Sequence, residues 1–190
     1  SVPLGLLLLF YDPDDARPRS VLSLSHCGRE RIFNNQNNDF EEQTMSRFES
    51  DFLGQCEISD DCYYGVQTSR AVDNFHITEM PMSQEPYFVI AFAYVKKAAA
   101  LANKELGTIP ANVADALVWA CDQIIEGKYH DQFVTDWLQG GAGTSTNMNA
   151  NEVIANIALE SLGKERGDYK TVSPNDHVNL SQSTNDAYPT

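Results

Sequence analysis

The sequence is poor in basic residues, cysteine and long apolar runs, and each shortage argues against a class of function. Its 13 lysines and arginines face 27 acidic residues, which gives a formal net charge of −14. Counterion release from phosphates therefore cannot drive binding, so we expect neither nucleic acid nor a membrane surface as a partner. The four cysteines form no C-x-x-C pair. Their spacing favours neither a zinc site nor a disulfide framework, and we expect a reducing, cytoplasmic location.

The first 44 residues differ from the remainder of the chain. They contain the apolar run "PLGLLLLFY", Pro3 to Tyr11, which is too short to span a bilayer and has no basic residue before it. A shortened signal peptide is the alternative explanation of this run. The asparagine-rich "FNNQNND" follows, and no sustained hydrophobic period appears. We therefore predict a disordered or non-native arm over residues 1–44 and a folded domain over residues 45–190, beginning near Met45.

The motifs that bind phosphates, dinucleotides and metals are also missing. No lysine lies between Gly140 and Glu152, so the P-loop pattern fails there, and Thr146 occupies the last glycine position of the dinucleotide fingerprint. No H-E-x-x-H spacing of histidines occurs. We expect neither a metal nor a cofactor.

Helical patterns occupy most of the second half of the chain. "YFVIAFAYVKKAAALANKEL" after Pro86 is alanine-rich and predicts a buried helix that ends near Gly107. "IPANVADALVWACDQIIEGK" predicts a second helix with an apolar face, and a third is predicted from Asn149 to Leu162. Asp51 to Phe75 is broken by glycines and favours extended segments and turns. The fold class is therefore mainly α with short extended segments.

The segment "QGGAGTSTNMNANEV", Gln139 to Val153, is the most informative polar stretch. Its three glycines let the backbone approach a ligand closely, and hydroxyl and amide side chains follow just before a predicted helix. The N–H groups at a helix N-terminus favour an anion, and a carboxylate would suit this place. A glycine turn with a helix cap, and no ligand, is the alternative.

The tripeptide Ser-Thr-Asn occurs in this segment and again near the end of the chain. It stands at residues 145–147 and at residues 183–185. If the two clusters converge, their neutral donors can hold a small dicarboxylate without a fixed cation and can stabilise charge that develops during a reaction. Chance recurrence of a short polar tripeptide is the alternative.

Other ionisable residues give weaker signals. His130 follows a helix end and is interpreted as a structural hydrogen-bonding residue, whereas His177 lies close to the second cluster and could be structural or functional. Four carboxylates could each be solvated or cap a helix: Asp131, Asp136, Glu152 and Asp186.

Several separated blocks, in order, resemble one family. "KYHDQFVTDWLQGGAGTSTNMNANEVIANIALE" and "SPNDHVNLSQSTNDAYPT" closely resemble the aspartase/fumarase superfamily, as do "DFLGQCEISDDCYYGVQTSRAVDNF" and "VKKAAALANKELGTIP". The resemblance runs from about Arg47 to Thr190. Fumarases typically have T-G-S-G-T-Q-S-N-M-N and H-P-N-D where this chain has "GGAGTSTNMN" and "SPND", so the aspartase branch is favoured.

The resemblance implies roles for individual residues. Thr144 and Asn185 would lie near the amino group of the substrate. Ser183 and Thr184 would hold the carboxylate next to the carbon that loses its proton. Three more residues would shape the same substrate-binding pocket: Ser145, Thr146 and Asn147. The implied reaction is the reversible elimination of ammonia from L-aspartate to give fumarate, in a homotetramer whose sites are each built from three subunits.

The resemblance also implies that something is missing. The family carries a mobile loop of the type G-S-S-x-M-P-x-K-x-N, whose serine is the base and whose lysine binds substrate, and no such segment occurs in the 190 residues. We therefore expect the N-terminal domain of an aspartase/fumarase-like fold, truncated at the start of the central helical bundle, with no catalytic residue of its own. The alternatives are a fumarate hydratase, or a truncated, non-catalytic product that binds dicarboxylates or pairs with full-length subunits.

Overall fold

The structure, a computed structural model, describes residues 45–190. The arm and the apolar run predicted within residues 1–44 lie outside the described residues. The described chain begins with a hairpin of two antiparallel strands, β1 (Ser46–Asp51) and β2 (Gly54–Ser59), in which Phe48 pairs with Glu57. Five α-helices follow, so the mainly α fold with short extended segments is confirmed.

Arg47 of β1 binds the hairpin to the segment that leads into α1. Its guanidinium donates to the backbone carbonyls of Ser59, Cys62 and Tyr64 at 3.2, 2.9 and 2.8 Å and to the carboxylate of Glu49 at 2.8 Å. A planar group with several fixed donors suits this task, because it can bind separate carbonyls at one time.

Helix α1 spans Val66–Asn74, where the sequence favoured extended segments and turns, so that prediction was wrong for the second half of its range. The reason is a tertiary contact. The carboxylate of Glu152, which is distant in the sequence, accepts the backbone N–H groups of Gly65, Gln67 and Thr68 at 2.9 to 3.0 Å and caps the helix. No pattern local to this segment could have indicated that cap.

Helices α2 (Pro86–Glu105) and α3 (Ala111–Ile125) pack against each other and confirm the first two predicted helices. Pro110 lies at the N-cap of α3, one position before the first turn. The face predicted for α3 is buried with at most 4% exposure, and its residues are Val113, Leu117, Cys121 and Ile124. Apolar periodicity thus located both helices because their buried faces follow the helical repeat.

Helix α4 (Thr144–Ser161) forms the centre of the molecule, and every residue from Thr146 to Leu159 is buried. It begins five residues before the predicted start at Asn149. The polar run "TSTNM" is unlike an apolar helix face, but Thr146 and Asn147 within it are buried and hydrogen-bonded inside the protein. A helix that is buried on all sides requires partners on every side, which α1, α3 and the segment after α4 supply.

Residues 163–183 connect α4 to the last helix and contain one π-helical turn, Pro174–Val178, where the sequence indicated a loop. The short helix α5 (Thr184–Ala187) follows and packs on α2 and α4. Among the helices of residues 45–190, none combines the length and the apolar character needed to cross a bilayer.

Candidate functional site

The glycine turn before α4 has an unusual backbone. Gly141, Ala142 and Gly143 have φ values of 76°, 52° and 87°, three successive residues in the left-handed region. Gly143 is the N-cap of α4. A Cβ at Gly143 would overlap the ring of Tyr188, which follows α5. The turn thus needs glycine both for its backbone and for the close approach of the chain's last described segment.

Gln139 holds the beginning of α4 in place. Its side-chain oxygen accepts the backbone N–H of Thr146 at 2.8 Å, and its side-chain nitrogen donates to the Thr146 hydroxyl and to the carbonyl of Asp136 at 3.0 Å. The Thr146 hydroxyl also bonds that of Thr135 at 3.1 Å. Thr146 is therefore enclosed within the protein and supports the helix N-terminus, with no hydroxyl left for a ligand.

Asp136 organises the chain around Gln139. Its carboxylate accepts the backbone N–H groups of Thr78, Glu79 and Leu138 at 2.7 to 3.0 Å and the Thr78 hydroxyl at 2.7 Å. Burial pushes the pKa of Asp136 upward, but these donors stabilise the charged form more strongly and leave the pKa at about 2. Asp136 is a structural anion that fixes the segment leading into the glycine turn.

The second cluster begins α5. Ser183 is its N-cap, and its hydroxyl accepts the backbone N–H of Asn185 at 3.2 Å. Asp186 lies in the first turn, so Ser183 occupies the capping position that the sequence allowed for Asp186. Ser183 and Asn185 are both exposed.

The two Ser-Thr-Asn clusters meet directly. The side-chain nitrogen of Asn147, in the first cluster, donates to the hydroxyl of Thr184, in the second, at 3.2 Å. Asn147 is buried, whereas Thr184 is half-buried at the surface of the contact. The structure therefore brings together the two chain segments that carry the recurring tripeptide, at the starts of α4 and α5.

The donors that face outward around this contact come from both clusters. Thr144 is exposed and its hydroxyl donates to the carbonyl of Gly141, while Ser145 is half-buried. Within residues 45–190, no hydrogen bond is found to the Ser145 hydroxyl or to the Asn185 side chain. The predicted residues thus divide into an outward group and the two buried supports, Thr146 and Asn147.

A buried lysine lies behind the contact, and it was not predicted from the sequence. Lys96 of α2 is 1% exposed, and its ammonium donates to the side-chain oxygens of Asn147, Asn179 and Gln182 at 2.7, 3.1 and 3.0 Å. No carboxylate forms a salt bridge with Lys96 in the described part of the chain. Burial lowers the pKa of Lys96 to about 7. A cation therefore lies one hydrogen bond behind the neutral donors of the two clusters.

The sequence did contain a signal for Lys96. It lies at helical spacing on the buried stripe of α2 with Val89, Phe92, Ala100 and Asn103. A lysine at such a position is buried, and a buried charge requires polar partners. Its neighbour Lys97 lies off this stripe and forms an ordinary ion pair with Asp122 at 2.6 Å.

A second polar cluster lies beside the middle of α4, around the start of α1. Glu152 is 1% exposed, and burial raises its pKa against the opposing effect of the Thr68 hydroxyl and the backbone donors. Glu49 accepts the N–H of Val66 at 3.0 Å and the hydroxyl of Tyr169 at 3.0 Å. These carboxylates cap α1 and are bonded within the protein, so we assign them a structural role.

The histidines take structural positions. His130 bonds the carbonyl of Ile124 at 2.8 Å through its Nε2, which confirms its interpretation as a structural residue. The Nδ1 of His177 accepts the backbone N–H of Ser173 at 2.9 Å and so holds the π-helical turn. Among residues 45–190, no group of three or more His, Cys, Asp or Glu side chains is arranged to hold a metal ion.

Known proteins resemble this chain over nearly all of the described residues. A family model described as lyase matches residues 54–190. The chain belongs to this lyase family, the aspartase/fumarase superfamily. Aspartate ammonia-lyase of Helicobacter pylori is 61% identical over 143 residues, which are 75% of this chain and 31% of the relative. That of Escherichia coli K12 is 57% identical over 145 residues, covering 76% and 30%.

Solved structures of the superfamily agree with the fold. A fumarate lyase:delta crystallin from Brucella melitensis superposes with a TM-score of 0.75 at 57% identity, covering 76% of this chain and 34% of that one. A class II fumarase from Schistosoma mansoni gives 0.69 at 39% identity, covering 77% and 30%. The chain therefore corresponds to an N-terminal part of these lyases and spans about 31% of the length of the first curated relative.

Proposed function

We propose that this lyase acts as an aspartate ammonia-lyase, removing ammonia from L-aspartate reversibly to give fumarate. The observation that carries the proposal is the hydrogen bond between Asn147 and Thr184, at 3.2 Å, which joins the two Ser-Thr-Asn clusters into one group of donors. Relatives named aspartate ammonia-lyase that are 57 to 61% identical support the same reaction.

The chemistry depends on stabilising a second negative charge. The proton to be removed lies on a carbon beside a carboxylate, and it becomes acidic only if the resulting dianion is stabilised. In our proposal the hydroxyls of Ser183 and Thr184 donate to that carboxylate, and Thr144 and Asn185 lie near the amino group. Ser145 shapes the substrate-binding pocket from its half-buried position, and Thr146 and Asn147 shape it from behind as buried supports. Preorganised donors of this kind are each worth about 3 kcal/mol in the transition state.

The N-terminus of α4 would add to this field. Its 18 residues align their peptide dipoles so that partial positive charge lies beside Thr144 and Ser145. A dicarboxylate bound there would be attracted although the whole chain is acidic. Local donors, and not the overall charge, would therefore bind the substrate.

We further propose that residues 45–190 form the N-terminal lyase domain with the start of the central helical domain, and that the enzyme works as a cytoplasmic homotetramer. Exposed apolar residues on α2 and α3 support an assembly: Tyr87, Tyr94, Leu101 and Trp119. Sedimentation of an active chimera, in which this chain replaces the matching segment of the Helicobacter pylori enzyme, is expected to give a tetramer. In that tetramer the subunits would complete each other's sites. A monomer that retains full lyase activity would contradict this part of the proposal.

A chimera tests the proposed reaction. The matching 143-residue segment of the Helicobacter pylori enzyme is replaced by the corresponding segment of this chain, and fumarate formation from aspartate is followed by ultraviolet absorbance. We expect turnover with aspartate and none with malate. Turnover with malate alone would favour the fumarate hydratase alternative. A folded chimera without either activity would contradict the proposed function.

The 190-residue chain alone should behave differently. It contains no G-S-S-x-M-P-x-K-x-N segment to supply the base, so we expect no fumarate from aspartate. Activity of the chain alone would contradict the assignment of the base to that loop. Binding of fumarate without turnover, together with an inactive chimera, would favour the non-catalytic alternative.

A further inference from the structure

The ammonium group of Lys96 makes all the hydrogen bonds that it can make, and it is the donor in each of them. It has three N–H donors and no acceptor, and the structure gives it three side-chain amide oxygens, those of Asn147, Asn179 and Gln182. Each amide must therefore turn its oxygen toward Lys96 and its nitrogen away. A buried cation that lacks a carboxylate partner costs stability.

The orientation of Asn147 determines that of Thr184. Because the Asn147 oxygen faces Lys96, its nitrogen faces away and donates to the Asn179 oxygen at 3.0 Å and to the Thr184 hydroxyl at 3.2 Å. A nitrogen that donates leaves the Thr184 oxygen as the acceptor, so the single hydrogen of this hydroxyl must point elsewhere. Thr184 is half-buried, so part of this side chain remains accessible to a ligand.

The other two amides fix the chain that leads to α5. With their oxygens on Lys96, the nitrogen of Asn179 donates to the carbonyl of Gln182 at 3.1 Å, and the nitrogen of Gln182 donates to the carbonyl of Val178 at 2.8 Å. Ser183, the N-cap of α5, follows immediately. Lys96 thus ties α2 to α4 and to the segment that carries the second cluster.

We propose that Lys96 is a positioning residue whose donor-only ammonium sets the direction of hydrogen bonds through Asn147 to Thr184, so that the Thr184 hydroxyl presents its hydrogen to a substrate carboxylate. The inference rests on the proposed function for the identity of the substrate. The hydrogen-bond direction itself does not depend on the substrate, because it rests on the contacts of Lys96 and on the bond from the Asn147 nitrogen to the Asn179 oxygen.

The direction of the hydrogen bond from Lys96 to Asn147 can be measured in the 190-residue chain without substrate. NMR detects scalar coupling across a hydrogen bond, and we expect coupling between Nζ of Lys96 and Cγ of Asn147 at a pH below the Lys96 pKa of about 7. Lys97, which lies beside it and pairs with Asp122, is the control and should show no coupling to an amide. Fast proton exchange of Lys96 with water, as for a surface lysine, and no coupling would overturn the inference.

Kinetics of the chimera at a pH below the Lys96 pKa of about 7 test the consequence. Lys96→Gln retains polarity but offers both a donor and an acceptor, so it no longer forces one amide orientation. We expect kcat to fall about tenfold or more with a smaller change in KM, because the lost donor acts mainly as charge develops. Lys97→Gln is the matched control and should retain its kcat. An unchanged kcat in a folded Lys96→Gln chimera would overturn the inference.

A double-mutant cycle separates positioning from a general loss of structure. If Lys96 acts through Thr184, Lys96→Gln should add little to the loss already caused by Thr184→Val. Two losses that multiply fully would contradict action through Thr184, and a Lys96→Arg variant that remains donor-only should recover part of kcat. If the parent chimera has no aspartate turnover, the proposed function fails, and the NMR coupling still decides the hydrogen-bond direction.

Discussion

At the scale of single residues, two buried ionisable groups organise the first half of α4 and its surroundings. Lys96 collects amide oxygens near the start of this helix, and Glu152 collects backbone N–H groups near its middle. In both cases one charged side chain satisfies several polar groups that would otherwise be buried without partners. Single substitutions at such positions should therefore have large effects.

Glu152→Gln is expected to destabilise the protein by about 1 to 3 kcal/mol, because the new side-chain nitrogen cannot accept a hydrogen bond and leaves a buried donor of α1 unsatisfied. The Glu152 carboxylate oxygens accept from Gly65, Gln67 and Thr68. Urea denaturation followed by circular dichroism measures the loss. Glu165→Gln, at an exposed position, is the control. Equal stability of the two variants would contradict the capping role.

Asp136→Asn should change how stability depends on pH. The pKa of Asp136 is about 2 in the folded protein, below its ordinary value of 3.8. This carboxylate therefore contributes stability that is present above about pH 4 and is lost as pH falls toward 2. Unfolding free energies at about pH 6 and about pH 3 should differ less in the variant than in the parent. Asp131→Asn, at an exposed carboxylate, should leave the difference unchanged.

At the scale of elements, the proposed site depends on the close packing of the glycine turn against Tyr188, which follows α5. Gly143 has a φ of 87°, and its missing Cβ makes room for the ring of Tyr188. Tyr188 also contacts Phe88 of α2, with ring centroids 5.6 Å apart. Through these contacts the beginning of α4, α2 and α5 keep their relative positions.

Gly143→Ala is expected to move α5 and separate Thr184 from Asn147. Gly163 offers a matched control, because its φ is 68° but no atom lies within 4 Å of the position that a Cβ would take there. Gly163→Ala should cost only the left-handed backbone strain, about 1 to 2 kcal/mol. Gly143→Ala should cost more in urea denaturation and should also reduce lyase activity of the chimera. Equal effects of both variants would show that the contact with Tyr188 does not matter.

Elements were predictable where their signal is local. Helices α2 and α3 follow apolar periodicity, and their bounds agree with the sequence within a few residues. Helix α1 was missed because its cap, Glu152, comes from α4. The recurring Ser-Thr-Asn tripeptide indicated two segments that meet in the structure, whereas Lys96 did not stand out inside an alanine-rich helix. Its three partners come from α4 and the segment after it, and only the folded chain brings them together.

At the scale of the whole molecule, an acidic chain carries a local group of hydrogen-bond donors where the two clusters meet. The net charge is −14, yet the N-terminus of α4, the hydroxyls of both clusters and the Lys96 ammonium lie close to one contact. A small dicarboxylate would therefore be bound by this local group against the overall charge. The homologous lyases extend well beyond this region, and the chain spans 31% of the first curated relative.

The most direct test of one shared site is the aspartate turnover of the chimera with Thr184→Val. This change removes a hydroxyl and retains the side-chain shape. We expect kcat to fall about 10²-fold, as for loss of one preorganised donor. Thr171→Val, whose hydroxyl bonds Asp168 at 2.7 Å, is the matched control and should retain activity. If Thr184→Val turns over aspartate as fast as the control, the two clusters do not form the site proposed for this protein.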